Sequence, residues 1–249
     1  MRAWERRLGR VQAKYVEELN KIPATPVVNA RYNFDLDQRV LSSLFANLDQ
    51  FVDSILLEGG ESRPWFFEAY VSVAYQRGTA QSFANLSAQS PAYASGQANL
   101  RTILYSEPYQ TRVGILRSRV FEEMRGLSAT VKQDMNRVLA DGMARGKNPR
   151  EIAKNLSRQT DIEDSRARRI ARTEVPMALR RARWDERDDA AERYGLNAKL
   201  LHLSALSPTT RATHAQRHGK LYTSEDVRDW YAVDGNAINC KCNQTEVLV

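Results

Sequence analysis

The chain has 249 residues, of which 42% are apolar and 27% charged, with a formal net charge of +7. That apolar content excludes a chain too polar to offset its ordering entropy and is enough for one large or two ordinary domains. The richest apolar run, Trp65 to Tyr75, is short and contains Glu68, so no stretch reaches the ~20 apolar residues of a membrane span.

The N-terminus, Met1-Arg2-Ala3-Trp4-Glu5-Arg6-Arg7, is charged but has no apolar secretory core after it, so no membrane partner and a cytoplasmic location until assembly are expected. Apolar residues recur at three- and four-residue spacing along most of the chain, first over Val11 to Leu19. A loop through Pro23 and Pro26 is expected next, then a helix over Leu36 to Leu57 with Leu41, Leu44, Leu48, Phe51 and Ile55 on one face, stopped by Gly59-Gly60. A third helix is predicted from Trp65 to about Leu86. The segment Ser87 to Gln97, with Pro91 and Gly96, reads as a loop.

In the second half, Ser128 suits the cap of a helix whose Val131, Met135, Val138, Leu139 and Met143 share a face, and Gly146 suits its end. Asn148-Pro149-Arg150-Glu151 has the order of a helix start: a capping Asn, a Pro whose missing donor costs nothing there, and a Glu facing the positive helix end. Ile152 and Leu156 supply its buried face. Thr160-Asp161-Ile162-Glu163 has the spacing of a capping box and predicts a further helix, with a kink or break near Pro176. Beyond Gly195, Lys199 to Leu206, Lys220 to Thr223 and Gln244 to Val249 read as short strands between polar turns. The fold class expected is mainly α, an N-terminal helical region followed by a small C-terminal α+β module, divided into 1–126 and 127–249.

Three landmarks carry a family resemblance. The first is Ile170-Ala171-Arg172-Thr173-Glu174, following Gly146-Lys147-Asn148-Pro149-Arg150-Glu151-Ile152-Ala153. The second is Thr210-Arg211-Ala212-Thr213-His214 followed by His218-Gly219-Lys220. The third is Asn239-Cys240-Lys241-Cys242. In this order they resemble the Mu F-like head morphogenesis family of tailed phages, from about residue 127 to the end. The family's Asp-x-Arg stands here as Ser207-Pro208-Thr209, and its Pro-Pro-x-His as Asp234-Gly235-Asn236-Ala237. The resemblance implies a low-copy minor capsid protein at the portal vertex. It further implies the portal and major capsid proteins as partners, a role in head assembly, DNA packaging or genome delivery, and residence in the virion after assembly in the host cytoplasm. It also implies structural roles for Arg172, Thr173, Glu174, Arg211, His214, Gly219, Cys240 and Cys242.

The residues point to assembly rather than catalysis. A glutamate beside an arginine can act as an acid or base, but Arg172-Thr173-Glu174 has no Ser-His-Asp set, phosphate loop or carboxylate cluster to work with, and is expected to buttress a turn or the C-terminal module. The only cysteines, Cys240 and Cys242, are one residue apart, where a mutual disulfide would be strained. With His214 and His218 they make four soft ligands, the number structural zinc takes. The alternative is a hydrogen-bonded histidine beside free buried thiols. His202, amid Leu200, Leu201 and Leu203, reads as a satisfied, partly buried histidine. On one unbroken helix, Arg168, Arg169, Arg172, Arg180, Arg183 and Arg187 would fall within an arc of about 120°. Ile170, Met177, Trp184 and Ala191 would form a separate apolar seam. The arginine face suits packaged DNA or an acidic portal surface, although Asp185, Glu186, Asp188 and Asp189 are near enough to neutralise it in a solvated, salt-bridged face. A DNA-binding virion protein is therefore the alternative function, and an enzyme such as a nuclease or toxin the third.

Overall fold

A computed structural model describes residues 2–97 and 99–249. Helix α1 (Arg2–Lys21) leads into a two-stranded antiparallel ribbon, β1 (Ala24–Val27) and β2 (Arg31–Phe34), and then α2 (Gln38–Leu56). A π-helical turn, Phe67–Val71, opens α3 (Ser72–Gln89), which is followed by the short α4 (Pro91–Gly96) and α5 (Leu100–Leu104). Two long helices follow, α6 (Glu107–Ala144) and α7 (Pro149–Tyr194). The C-terminal module is β3 (Ala198–Leu203), α8 (Ala212–Ala215), β4 (Leu221–Tyr222), α9 (Ser224–Ala232) and β5 (Asn243–Leu248), with a three-stranded antiparallel sheet in the order β4-β3-β5. The protein is mainly α with a small α+β module at its C-terminus.

The chain forms two compact units, and each is built from two sequence segments. The first takes in Met1–Trp65 and Val120–Ile170; the second, Phe66–Arg119 and Ala171–Val249. A single cut between residues 126 and 127 falls inside α6. In the first unit, α1 buries Trp4, Leu8, Val11, Tyr15 and Leu19, a three- and four-residue repeat that puts one apolar stripe inward. Leu48, Val52 and Ile55 of α2, Val131, Met135 and Leu139 of α6, and Ile152 and Leu156 of α7 are also buried. Polar ties accompany this core: the Tyr15 hydroxyl donates to Asn136 Oδ1 at 2.6 Å, and Asn136 donates to Asp49 at 2.9 Å.

Several local expectations are corrected. Pro23 and Pro26 border and enter a ribbon rather than a loop: Pro26 pairs with Tyr32, and a two-stranded ribbon tolerates a missing donor because both strands are edges. The segment after Ser87 is helical to Gln89, and Ser90 then caps α4 through a bond from Tyr93 N, with Pro91 in its first turn. Ser128 lies inside α6 and donates to Asp53 Oδ1 at 2.7 Å instead of capping. Thr160 and Glu163 form no capping box, since α7 is already running; Thr160 bonds back to the Leu156 carbonyl and Glu163 is fully buried beside Arg166 and Gln159. Pro176 does not end α7. The carbonyl it deprives is that of exposed Arg172, which water can satisfy. The start at Asn148 is as expected, with its Oδ1 accepting from Arg150 N at 2.9 Å. Gly146 ends the preceding helical stretch at φ +63°, its carbonyl accepting from Tyr32 N at 2.9 Å.

Candidate functional site: a histidine–cysteine cluster and its arginine supports

In the second unit, β3 buries Ala198, Leu200 and His202 on alternate positions, while Cys240, Cys242, Gln244 and Glu246 are buried two residues apart along the C-terminal strand and its approach. The inward face of β5 is therefore polar, and α7 supplies what it binds. Arg183 donates to both carboxylate oxygens of Glu246, at 3.1 and 2.7 Å, and Ser82 and Asn85 of α3 add bonds to the same carboxylate at 2.8 Å each. Gln244 bonds to Trp184 Nε1 at 3.2 Å, to the Tyr231 hydroxyl at 3.2 Å and to His202 Nδ1 at 3.1 Å. Burial pushes the His202 imidazole down to about 4, so it stays neutral between Gln244 and the edge-on ring of Trp230.

Arg180 is 1% exposed, and its Nη1 donates to the carbonyls of Cys240 at 3.2 Å and Cys242 at 2.8 Å, with the guanidinium 4.7 Å from the Tyr231 ring centre. One guanidinium nitrogen thus sets the shape of the Cys-Lys-Cys turn. Arg211 does the same for the loop before it, donating to the carbonyls of Gly235 at 2.9 Å, Asn236 at 2.8 Å and Ile238 at 3.3 Å. The loop includes Asp234 and Asn239 at φ +53° and +52°, where Asp and Asn are the most tolerant residues after glycine. Asn239 N donates to Thr173 Oγ1 at 3.2 Å, which ties the turn to α7.

Held this way, both cysteines face His214 on α8: His214 Nδ1 lies 3.4 Å from Cys240 Sγ and 3.5 Å from Cys242 Sγ, and all three side chains are buried. The Cys240 thiol is drawn down by the hydrogen bond from Cys242, with the Arg180 charge adding to it, while Cys242 is pushed up by the same bond and by burial. Burial also pushes the His214 imidazole down. His218 is not part of the cluster; it is exposed, and its Nδ1 accepts from Ser204 N at 3.1 Å. Gly219, at φ +74°, supplies the left-handed turn that leads into β4, its N–H donating to the His202 carbonyl at 2.9 Å.

The expected arginine face is not assembled. Arg180 and Arg183 are buried on protein acceptors, and Arg187 is half-buried on the Ala198 carbonyl, which removes three of the six arginines from any phosphate. Arg168 pairs with Asp164, and Arg172 is exposed. The helix period was right, but it ranked arginines by angle without the acceptors that β5 and its loop bring to that side. Within the Arg-Thr-Glu triplet, Thr173 holds the turn and buried Glu174 pairs with Arg119, while Arg172 touches neither. Sequence reading missed Glu246, Gln244 and Arg119. The in-phase series Cys242, Gln244, Glu246 was the available signal, since two polar residues in register with an inward cysteine call for buried partners.

Elsewhere in the second unit, Glu186 is 5% exposed, accepts a hydrogen bond from the Tyr93 hydroxyl and is pushed up to about 7 by burial, with Asp189 adding to the effect. A carboxyl whose folded pKa is raised contributes stability below its unfolded value of 4.5 and loses it as pH rises through about 7. Relative to wild type, Glu186→Gln should gain stability across that window, on the order of 3 kcal/mol by its upper end. Denaturant titrations of both proteins at several pH values check this; parallel stability curves would contradict it.

Together the fold and the cluster define a helical protein carrying a compact α+β module, closed by a buried His-Cys-Cys set and braced by arginines that grip backbone carbonyls. Residues 133–245 match the family model described as phage Mu protein F like protein. The match spans α6 from within its C-terminal half, all of α7 and nearly all of the module, including the three landmarks. No curated protein and no solved structure matches the chain significantly.

Proposed function

We propose that this protein is a minor capsid component that works by protein contact at the portal vertex, in head assembly, packaging or genome delivery, and not by catalysis. The observation that carries this is the family match over residues 133–245. The site chemistry supports it. Glu174, Arg180, Arg183 and Arg211 all bond within the second unit, where they position backbone and one another. The portal protein is the principal partner, with the major capsid shell around it as the second. The DNA-contacting alternative draws no support from an arginine set half of which is buried or half-buried on protein acceptors.

For the docking surface, the N-terminal region offers a specific place. Among its large apolar residues Leu48, Phe66 and Phe67 are buried, whereas Leu41, Leu44, Phe51 and Trp65 are half-buried. Leu41 lines a groove of about 990 Å³ in the first unit with Val27, Phe34, Leu36 and Met143, and Val28 and Val40 are 82% and 52% exposed. Apolar anchors in such a groove suit a protein partner. Removing residues before 65 would strip α1 and α2 from the core of that unit, so point substitution is the cleaner test. Leu41→Asp should lower retention of the full chain on immobilised portal by about tenfold or more, the effect of losing one anchor. Unchanged retention by portal, with tight binding to duplex DNA that falls steeply with salt, would support the alternative instead.

A further inference from the structure

We infer that His214 Nδ1, Cys240 Sγ and Cys242 Sγ form a three-ligand zinc site whose fourth position is open to a water in the small cavity beside it. The geometry is that of a site already shaped for the ion. With Zn–S near 2.3 Å and Zn–N near 2.0–2.1 Å, tetrahedral angles put each sulfur about 3.5 Å from the nitrogen. The two distances here are 3.4 and 3.5 Å, and the three ligand atoms all lie within 4.8 Å of one another. Both sulfurs and the imidazole are buried. The donor set is soft, and the supports of Cys240 favour a thiolate: Cys242 N lies 3.4 Å from Cys240 Sγ and the Tyr231 hydroxyl 3.5 Å from the same sulfur. Arg180 Nη1 fixes the turn that spaces the two cysteines, so the ligands are positioned by a group that would not itself bind metal.

The fourth position follows from what is missing. His218, the fourth ligand by sequence, is exposed and engaged by Ser204 N. In its place is a cavity of about 40 Å³ against His214, Cys240 and Cys242, with Thr210, Arg211 and Asn239 on its other sides. That space accommodates one water with polar neighbours to hold it. Binding deprotonates the thiols and releases those protons to solvent, while the neutral imidazole gives its Nδ1 lone pair to the metal. The ion would staple α8 to the turn that leads into β5.

The test uses the full chain purified from zinc-replete cells. Elemental analysis should find about one zinc per chain, and Co²⁺ exchanged into the site should show thiolate charge-transfer bands in the near ultraviolet. His218→Ala should keep the metal; Cys240→Ser with Cys242→Ser should leave less than about a tenth of an equivalent. Added azide or imidazole should shift the visible Co²⁺ bands by replacing the water. Less than about a tenth of an equivalent in wild type, with no Co²⁺ charge transfer on titration of the folded apoprotein, would overturn the site. Loss of metal in His218→Ala, or bands unmoved by azide and imidazole, would overturn the open fourth position. Because metal titration of wild type decides occupancy, misfolding of the double cysteine variant does not blunt the test. Zinc occupancy, whether full or nil, is separate from whether the protein docks at the portal.

Discussion

Glu246→Ala should destabilise the second unit by about 3–5 kcal/mol, the loss expected when one partner of a buried ion pair is removed and the other stays behind. Glu246 and Arg183 are 0% and 8% exposed at the side chain, so neither has water to fall back on. The same substitution strands the Ser82 hydroxyl and one of the Asn85 amide's bonds. Arg183→Met with Glu246→Met should cost clearly less than the sum of the single substitutions, because the double variant leaves no orphaned charge. Urea unfolding of the four proteins gives the coupling energy directly; additive effects would mean that the pair is not the organising contact between α7 and β5.

Gly78→Ala should be comparably damaging for a steric reason. A Cβ at Gly78 would lie 2.2 Å from the Leu179 carbonyl oxygen and 2.8 Å from Ala182 Cβ, so α3 and α7 cross where only a hydrogen fits. The nearest atom is backbone and cannot rotate away, and overpacking of this kind costs about 1–3 kcal/mol or more. Gly126→Ala on α6 has the opposite sign: nothing lies within 4 Å of the added methyl, and a helical Gly→Ala change should stabilise by about 0.5–1 kcal/mol. Thermal unfolding of the two variants should therefore bracket wild type. A neutral Gly78→Ala would place the helix crossing elsewhere.

These contacts mark where sequence reading stopped. Periodicity located α2, α3 and the three C-terminal strands to within a few residues, because each has a one-sided apolar repeat or clear turn punctuation; it found only the second half of α1, which starts at Arg2 and not near Val11. It failed inside the long helices: Ser128, Thr160 and Pro176 each carry a local signal for a boundary, and each is overridden by a side-chain bond or by solvent at the affected carbonyl. Nor does the two-segment composition of each unit show in the sequence, since α6 and α7 run without punctuation through the residues where the units divide. Of the cluster, His214, Cys240 and Cys242 were legible from their chemistry and order. His218 counts as a fourth soft ligand by residue type, but it lies beyond α8, which ends at Ala215, and is engaged by Ser204 N instead. Arg180 and Arg183 were legible as arginines and misread in direction. Their acceptors are the backbone of a turn and a glutamate some 60 residues away, contacts that no local pattern encodes.

Membership of the phage head is the claim on which the portal reading depends, and quantitative mass spectrometry of density-purified heads tests it most directly. Peptides from both compact units are expected at a fixed, low ratio to the portal protein. Heads of normal composition that contain none of this chain would contradict that membership.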